Sequence, residues 1–347
     1  MRLLPSPFSL KCRYAPSPKH VFFLEQSRQT VRDILSGTDP RLLLIVGPCS
    51  IHDIDSAKEY ATLLARLQNE VSTHFFILMR VYFEKPRTLT GWKGLVYDPA
   101  LDGSHDMETG LSWARQLLID LADLEVPAAT EFLDPFVRPY LEDLIAWGSI
   151  GARTSTSQVH RQMAADLPMP VGIKNPIAGT LASAIQSVVA ATQPHTLMGI
   201  NQSGQGTIVT AKGNVDAHLV LRGWERQPNY DRESIHEALS RLQRARLPSR
   251  LLIDCSHDNS SKKHERQPLV FQEVIDQVLE GINGIRGMLL ESFISAGSQP
   301  LTCSKSLSYG TSVTDSCLDW RSTEQLITTG AERMESFIAL RQMALQR

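Results

Sequence analysis

Cysteine is scarce in this chain of 347 residues: there are five, Cys12, Cys49, Cys255, Cys303 and Cys317, an odd number with no CxxC spacing. That argues against a disulfide framework and leaves each thiol to be judged on its own chemistry. An excess of either charge is also missing, because 35 Lys and Arg stand against 37 Asp and Glu. With no global field, neither nucleic acid nor a membrane is an expected partner, and any anion binding must be local. No run reaches the ~18 apolar residues of a membrane span. The N-terminal MRLLPSPFSLKC is broken by two prolines, unlike a signal peptide, so the chain reads as cytoplasmic.

What remains is globular. Hydrophobic residues make up 42% and charged residues 21%, enough for a sizeable core. The length admits two domains or one large α/β barrel. Eight apolar runs of strand length recur at 41–48, 75–83, 127–133, 149–153, 170–174, 218–222, 250–256 and 286–290. Helical spacing fits between them: Ser56 and Glu59 resemble a capping box, followed by Ala57, Tyr60, Ala61, Leu64 and Leu67. Near-continuous apolar strands need both faces covered, which predicts a (β/α)8 TIM barrel over 41–347. Residues 1–40 form an N-terminal extension, expected to be extended over 4–20 with a helix over 27–36. Residues 193–214, where TLMGI and TIVT flank NQSGQG, read as an inserted β-hairpin.

In such a barrel the C-terminal strand ends converge on one face. Here they carry Cys49, Arg80 with Lys85, Glu131, Arg153, Lys174, Arg222, His257 and Glu291, with Asp315 beyond the last strand. Singly, Cys49 is most simply a buried thiol and Arg153 a solvated charge. Together they recur at equivalent positions of every βα unit, as scattered surface charges would not. Five cations at one mouth repel one another unless they bind a polyanion, and arginine forks match carboxylate and phosphate oxygens, so the expected guest is a small phosphorylated acid. Cys49, His257, Glu291 and Asp315 would make a site for one divalent transition metal, Mn, Fe, Co or Zn, since the soft donors disfavour Mg or Ca. Their spacing alone forms no metal motif.

Local strings add specificity: GPCSIHD at 47–53, MRVYFEKPRTLTGWKG at 79–94, ATEFLD at 129–134, GARTSTSQVHR at 151–161, GIKN at 172–175, LRG at 221–223, DCSHDNSSK at 254–262, LLES at 289–292 and YGTSVTDSCLDW at 309–320. In content and order they resemble the 3-deoxy-D-arabino-heptulosonate 7-phosphate (DAHP) synthase family, in its type I branch, from about residue 16 to the C-terminal helix. The resemblance implies a metal-dependent condensation of phosphoenolpyruvate with erythrose 4-phosphate and water, releasing phosphate, as the first step of the shikimate pathway. It implies that Arg80, Lys85, Ala152, Arg153, Lys174 and Arg222 hold phosphoenolpyruvate, with Glu131 and His257 beside it. Pro86, Arg87 and Thr88 would take the erythrose 4-phosphate end. Lys85, Glu131 and His257 are the expected catalytic groups, with Lys85 and Glu131 handling the attacking water. A homodimer or homotetramer is implied too.

Regulated members of the family bind an aromatic amino acid beside the barrel. The match to their N-terminal extension starts late here, and Arg138, Pro168 and Gly199 depart from the usual pocket, so a weak or altered effector response is expected. Pro176, Ala178 and Trp224 are further departures, in loop shape rather than charge. Two rival readings are a synthase using arabinose 5-phosphate, whose sugar loop is KANRS-like rather than the KPRT of 85–88, and a non-catalytic barrel that senses phosphoenolpyruvate or binds a partner enzyme. His52, His160 and His264 are expected to be structural hydrogen-bonders, Trp92 and Trp320 loop packing, and Cys255 core. Cys12, Cys303 and Cys317 show no chemical partner in the sequence.

Overall fold

The computed structural model describes residues 3–87, 89, 91–178, 180–301 and 307–345, with side chains as far as 338. Thr88 and Cys303 therefore lie outside the described residues. Eight parallel strands close into a barrel: β1 (Leu42–Gly47), β2 (Phe75–Arg80), β3 (Ala128–Glu131), β4 (Trp147–Ile150), β5 (Val171–Lys174), β8 (His218–Leu221), β9 (Leu251–Asp254) and β10 (Ile285–Glu291). Two more strands, β6 (His195–Ile200) and β7 (Gly206–Ala211), pair antiparallel as a separate ribbon between β5 and β8. Helices α3 (Ile54–Val71), α4 (Met107–Asp123), α5 (Arg138–Leu141), α6 (Gln158–Asp166), α7 (Leu181–Thr192), α8 (Arg232–Arg244), α9 (Gln267–Leu279) and α10 (Trp320–Leu345) follow the barrel strands. Among the described residues, no helix is long and apolar enough to cross a membrane.

The strand pleat sorts the side chains into two cores. Leu42, Leu44 and Val46 of β1 face outward into the cluster shared with α3 and the other helices. Leu43 and Ile45 face inward with Leu78, Ala129, Trp147, Val220, Leu252 and Leu289, one or two residues from each of seven strands. The interior is thus a packed plug rather than a pore.

Before β1 the chain is helical, not extended: α1 spans Pro7–Arg13 and α2 runs Pro18–Ser36, starting nine residues before the expected helix. The prolines are helix starters here. Ser6 and Ser17 each cap a helix whose first residue is Pro7 or Pro18, where the missing N–H would have been unsatisfied anyway. Val31, Ile34 and Leu35 of α2 join the interior cluster and stopper the barrel at the N-terminal ends of its strands. The Ser56 capping box is also corrected: α3 starts at Ile54, and Asp53 caps it by accepting from the Asp55 and Ser56 amides.

At the same closed end, His218 is fully buried at the start of β8. Trp147 Nε1 donates to its Nε2 at 3.2 Å and its Nδ1 meets the Asp216 carbonyl at 2.8 Å, which assigns a neutral ring protonated on Nδ1. Burial pushes its pKa down to about 3. Because an unfolded histidine titrates near 6.5, this site contributes its full stability above that pH and loses it as pH falls toward 3, by ~1.4 kcal/mol per unit. Urea midpoints at pH 7 and pH 5 should show wild type losing roughly 2 kcal/mol more than His218→Gln across that interval. Parallel pH profiles for the two proteins would refute the assignment.

Candidate active site

The inward face of five strands continues past the plug to a charged position. By alternation, Ala129 is followed by Glu131, Leu78 by Arg80, Val220 by Arg222, Leu252 by Asp254 and Leu289 by Glu291. The strand ends therefore gather charged side chains in one layer. At this layer lies a cavity of about 120 Å³ bounded by Arg80, Lys85, Pro86, Arg87, Glu131, Ala152, Arg153, Lys174, Arg222, His257 and Asp315, together with Ile177, Asp258, Lys262 and Thr314. All five cations named from the sequence meet there. Ile177, Asp258, Lys262 and Thr314 were not singled out beforehand, although Asp258 and Lys262 lie in the DCSHDNSSK string.

Most of these charges are held by buried partners. Arg80 Nη2 reaches Glu291 Oε1 at 2.8 Å, Lys174 Nζ reaches Asp254 Oδ2 at 2.8 Å, and Arg222 Nη1 reaches Asp258 Oδ2 at 2.6 Å. Burial opposes both charges of the second pair, yet pairing prevails: Lys174 is held above its ordinary value, and His257 with Lys174 holds Asp254 well below the carboxylate range. Beneath them lies Tyr82, which sequence reasoning passed over. Its ring is 3.6 Å from the Arg80 guanidinium carbon, 5.8 Å from Lys174 Nζ and 5.9 Å from Lys85 Nζ, a shared aromatic floor for three cations. The available signal was alternation, since Tyr82 is two residues beyond Arg80.

Three buried polar atoms of the lining have no hydrogen-bond partner among the described residues: Arg80 Nη1, Arg222 Nε and Glu131 Oε1. Two donors and an acceptor left unmet in one cavity are what a polar ligand would satisfy. Glu131 reaches its place because Gly151 is a glycine; a Cβ there would stand 2.2 Å from Glu131 Oε1.

Ligating atoms of Cys49, Glu291 and Asp315 lie within 4.8 Å of one another, a group that could hold a metal ion. His257 borders this group, with Nε2 3.8 Å from Glu291 Oε1. Its other nitrogen, Nδ1, lies 3.0 Å from Asp254 Oδ2, leaving Nε2 toward the cavity. His257 also has a left-handed backbone at φ 59°, uncommon outside glycine. Burial, reinforced by Glu291, pushes the Cys49 thiol up to about 11. Lys85 Nζ stands 3.1 Å from its sulfur. Cys317, without a visible partner in the sequence, accepts from the Cys49 amide at 3.4 Å, while Cys255 is fully buried in the outer core.

The bystanders are placed as follows. His160 bonds Ser157 and the Leu133 carbonyl, and His264 bonds Ser316. His52 is buried with Nδ1 unpartnered among the described residues. Trp92 donates to the Asp98 carbonyl, whereas Trp320 is the first residue of α10, edge-on to Tyr60, rather than part of a loop.

A closed parallel barrel whose strand ends gather five cations around one cavity, beside a group that could hold a metal ion, defines a class: a barrel with an enzyme-like site at the C-terminal ends of its strands. The particular family follows from comparison. Residues 21–328 match the DAHP synthetase I family. The chain is 46% identical over 327 residues to the Tyr-sensitive phospho-2-dehydro-3-deoxyheptonate aldolase of Escherichia coli K12, covering 94% of this chain and 92% of that protein. It is 43% identical over 333 residues to the Trp-sensitive enzyme of the same strain, covering 96% and 95%. A solved phospho-2-dehydro-3-deoxyheptonate aldolase from Francisella tularensis SCHU S4 superposes with a TM-score of 0.94 at 39% identity, over 96% of this chain and 98% of that one. The chain belongs to the DAHP synthetase I family.

Proposed function

We propose that this protein condenses phosphoenolpyruvate with D-erythrose 4-phosphate and water to give 3-deoxy-D-arabino-heptulosonate 7-phosphate and inorganic phosphate. The observation that carries this reading is the cavity in which Arg80 Nη1, Arg222 Nε and Glu131 Oε1 stand unpartnered beside Cys49, Glu291 and Asp315. Phosphoenolpyruvate carries about three negative charges at neutral pH, because the second phosphate pKa is near 6. Arg80, Lys85, Arg153, Lys174 and Arg222 neutralise it and fix its orientation, while Arg87 and Thr88, with Pro86 setting the backbone angle, receive the aldose phosphate.

The donors fit a divalent transition metal, since a thiol joins two carboxylates with an imidazole at the edge, a set unsuited to Mg or Ca. Mn, Fe, Co and Zn all suit it, and such a metal would supply Lewis acidity toward the aldehyde oxygen. As the C2–C3 double bond of phosphoenolpyruvate opens, carbon 3 bonds to the aldehyde carbon, whose oxygen takes up a proton; water adds at carbon 2 with loss of a proton, and the resulting hemiketal phosphate expels inorganic phosphate to leave the ketone. The Lys85 ammonium positions that water, and Glu131, with its free Oε1, takes the proton it gives up. His257, oriented through Asp254, faces the same cavity.

Of the regulatory pocket residues, Arg138 and Gly199 line a second cavity of about 280 Å³ between α6 and the β6–β7 ribbon. Arg138 fills part of it and is tied to Glu142 at 2.5 Å and to Asp166 at 2.6 Å. A neutral small residue would leave that space to an aromatic effector, so we read the effector response as weakened. Apolar Leu4, Phe8, Phe136, Met198 and Ile208 stay exposed on this flank, which supports a homo-oligomer. The synthesis suits a cytoplasmic enzyme.

One assay tests these points. Phosphate release with Mn should require both phosphoenolpyruvate and erythrose 4-phosphate, fail with arabinose 5-phosphate and stop on chelation. Millimolar Phe, Tyr or Trp should each remove less than about half of the initial rate. Strong inhibition by any one of them would overturn the regulatory reading. No phosphate release under these conditions would favour the non-catalytic barrel.

A further inference from the structure

Glu84 is buried, with 3% exposure, yet does not line the cavity; it directly precedes Lys85. A carboxyl removed from water costs several kcal/mol unless donors meet it, so its location calls for a physical reason. The donors belong to another loop. Glu84 Oε1 accepts from the Asp134 amide at 3.0 Å and Oε2 from the Leu133 amide at 3.3 Å. The Tyr97 hydroxyl donates to Asp134 Oδ2 at 2.8 Å and lies 3.5 Å from Glu84 Oε1. A side chain following β2 thus caps two amides following β3, two and three residues beyond Glu131.

The same segment is braced from its other side. The Lys85 amide donates to the Lys93 carbonyl at 2.8 Å, and Arg87 Nε donates to the Trp92 carbonyl at 2.7 Å. Gly94, at φ 109°, passes so close that a Cβ would sit 2.2 Å from the Phe83 carbonyl oxygen. Those bonds shape the loop internally, whereas Glu84 links it to the neighbouring barrel unit. Burial, helped by Asp134 and Glu131 and opposed by the two amides, pushes the Glu84 carboxyl up to about 8. The fold keeps an acid where acids are disfavoured, which a purely packing role would not require.

We propose that Glu84 is a positioning residue for the second substrate: it fixes Lys85, Pro86 and Arg87 at a set distance from Glu131 and thereby governs capture of the aldose phosphate. This rests on the function proposed above. Of the other phosphoenolpyruvate cations, Arg80 is held within β2, Lys174 ends β5, and Arg153 and Arg222 follow β4 and β8, so a slack loop chiefly disturbs Arg87 at the far end of the site. Glu84→Ala removes both acceptors, while Glu84→Gln keeps the shape and one acceptor.

Steady-state kinetics with each substrate varied in turn test the proposal, using metal-loaded full-length protein. Glu84→Ala should raise KM for erythrose 4-phosphate about tenfold or more while KM for phosphoenolpyruvate stays within about threefold, and Glu84→Gln should recover most of the loss. An unchanged erythrose 4-phosphate KM in Glu84→Ala would overturn it, as would equal rises for both substrates or a Gln variant as impaired as Ala. Should Glu84→Ala fail to fold, Glu84→Asp, whose shorter carboxylate cannot reach both the Leu133 and Asp134 amides, takes its place: the same selective rise in KM for erythrose 4-phosphate supports the proposal and its absence overturns it. Failure of the underlying function is distinguishable, because wild type would then release no phosphate from these substrates.

Discussion

Cys49→Ala is expected to lose metal binding and turnover while the barrel stays folded. The sulfur is one of three donor atoms within 4.8 Å of one another, and removing it leaves two carboxylates, one buried and one exposed. Outer-sphere changes alone cost metal sites about 10–100-fold in affinity, so loss of a direct ligand should exceed that range. Stability should change little, because replacing a buried thiol by a methyl group opens a space of only one sulfur and costs about 1 kcal/mol. Metal content after dialysis, phosphate release with added Mn, and the thermal midpoint measure the three parts separately. Near-normal metal-dependent activity in this variant would remove Cys49 from the ligand set.

Asp254→Asn is expected to harm both fold and activity. Asp254 is fully buried and accepts from Lys174 at 2.8 Å, from Ser256 Oγ at 2.6 Å and from the Ser256 amide, while His257 Nδ1 lies 3.0 Å away. Losing its charge strands the Lys174 ammonium in a buried layer, at about 3–5 kcal/mol. An asparagine can also present its NH2 to His257, favouring the wrong tautomer. Mis-set imidazoles of that kind cost other enzymes up to about 10⁴ in kcat, so a fall of at least a hundredfold is expected here. Adding Lys174→Met should restore much of the thermal stability but none of the turnover. An Asp254→Asn protein with wild-type midpoint and kcat within about twofold would show that neither coupling operates.

Asp254 also shows how far sequence reading reached. Its string was legible, and alternation placed Cys255 in the outer core, but the role of Asp254 depends on Lys174, 80 residues earlier, sharing the layer with it. Tyr82 and Glu84 were missed for related reasons. One acts beneath three cations drawn from two strands and the loop after β2, the other beneath a neighbouring loop; alternation puts Tyr82 on the face of Arg80, but no spacing along the chain encodes its contacts with Lys174 and Lys85 or those of Glu84 with the loop after β3. Helix α1 and the first nine residues of α2 were missed for a local reason: the proline-containing stretch 4–20 was read as extended, whereas a proline preceded by serine is also a helix start.

By itself, the sequence determined the eight βα units, the closed barrel and the set of ionisable groups at the strand ends. Those follow from period-2 and period-3.6 patterning, which depends on neighbours a few residues apart. Only the tertiary structure decided which atoms pair, which stand unmet, and which side chain of a ligand set sits at its edge. Those depend on distances across a closed sheet, where residues far apart in the chain become neighbours through hydrogen-bond register alone.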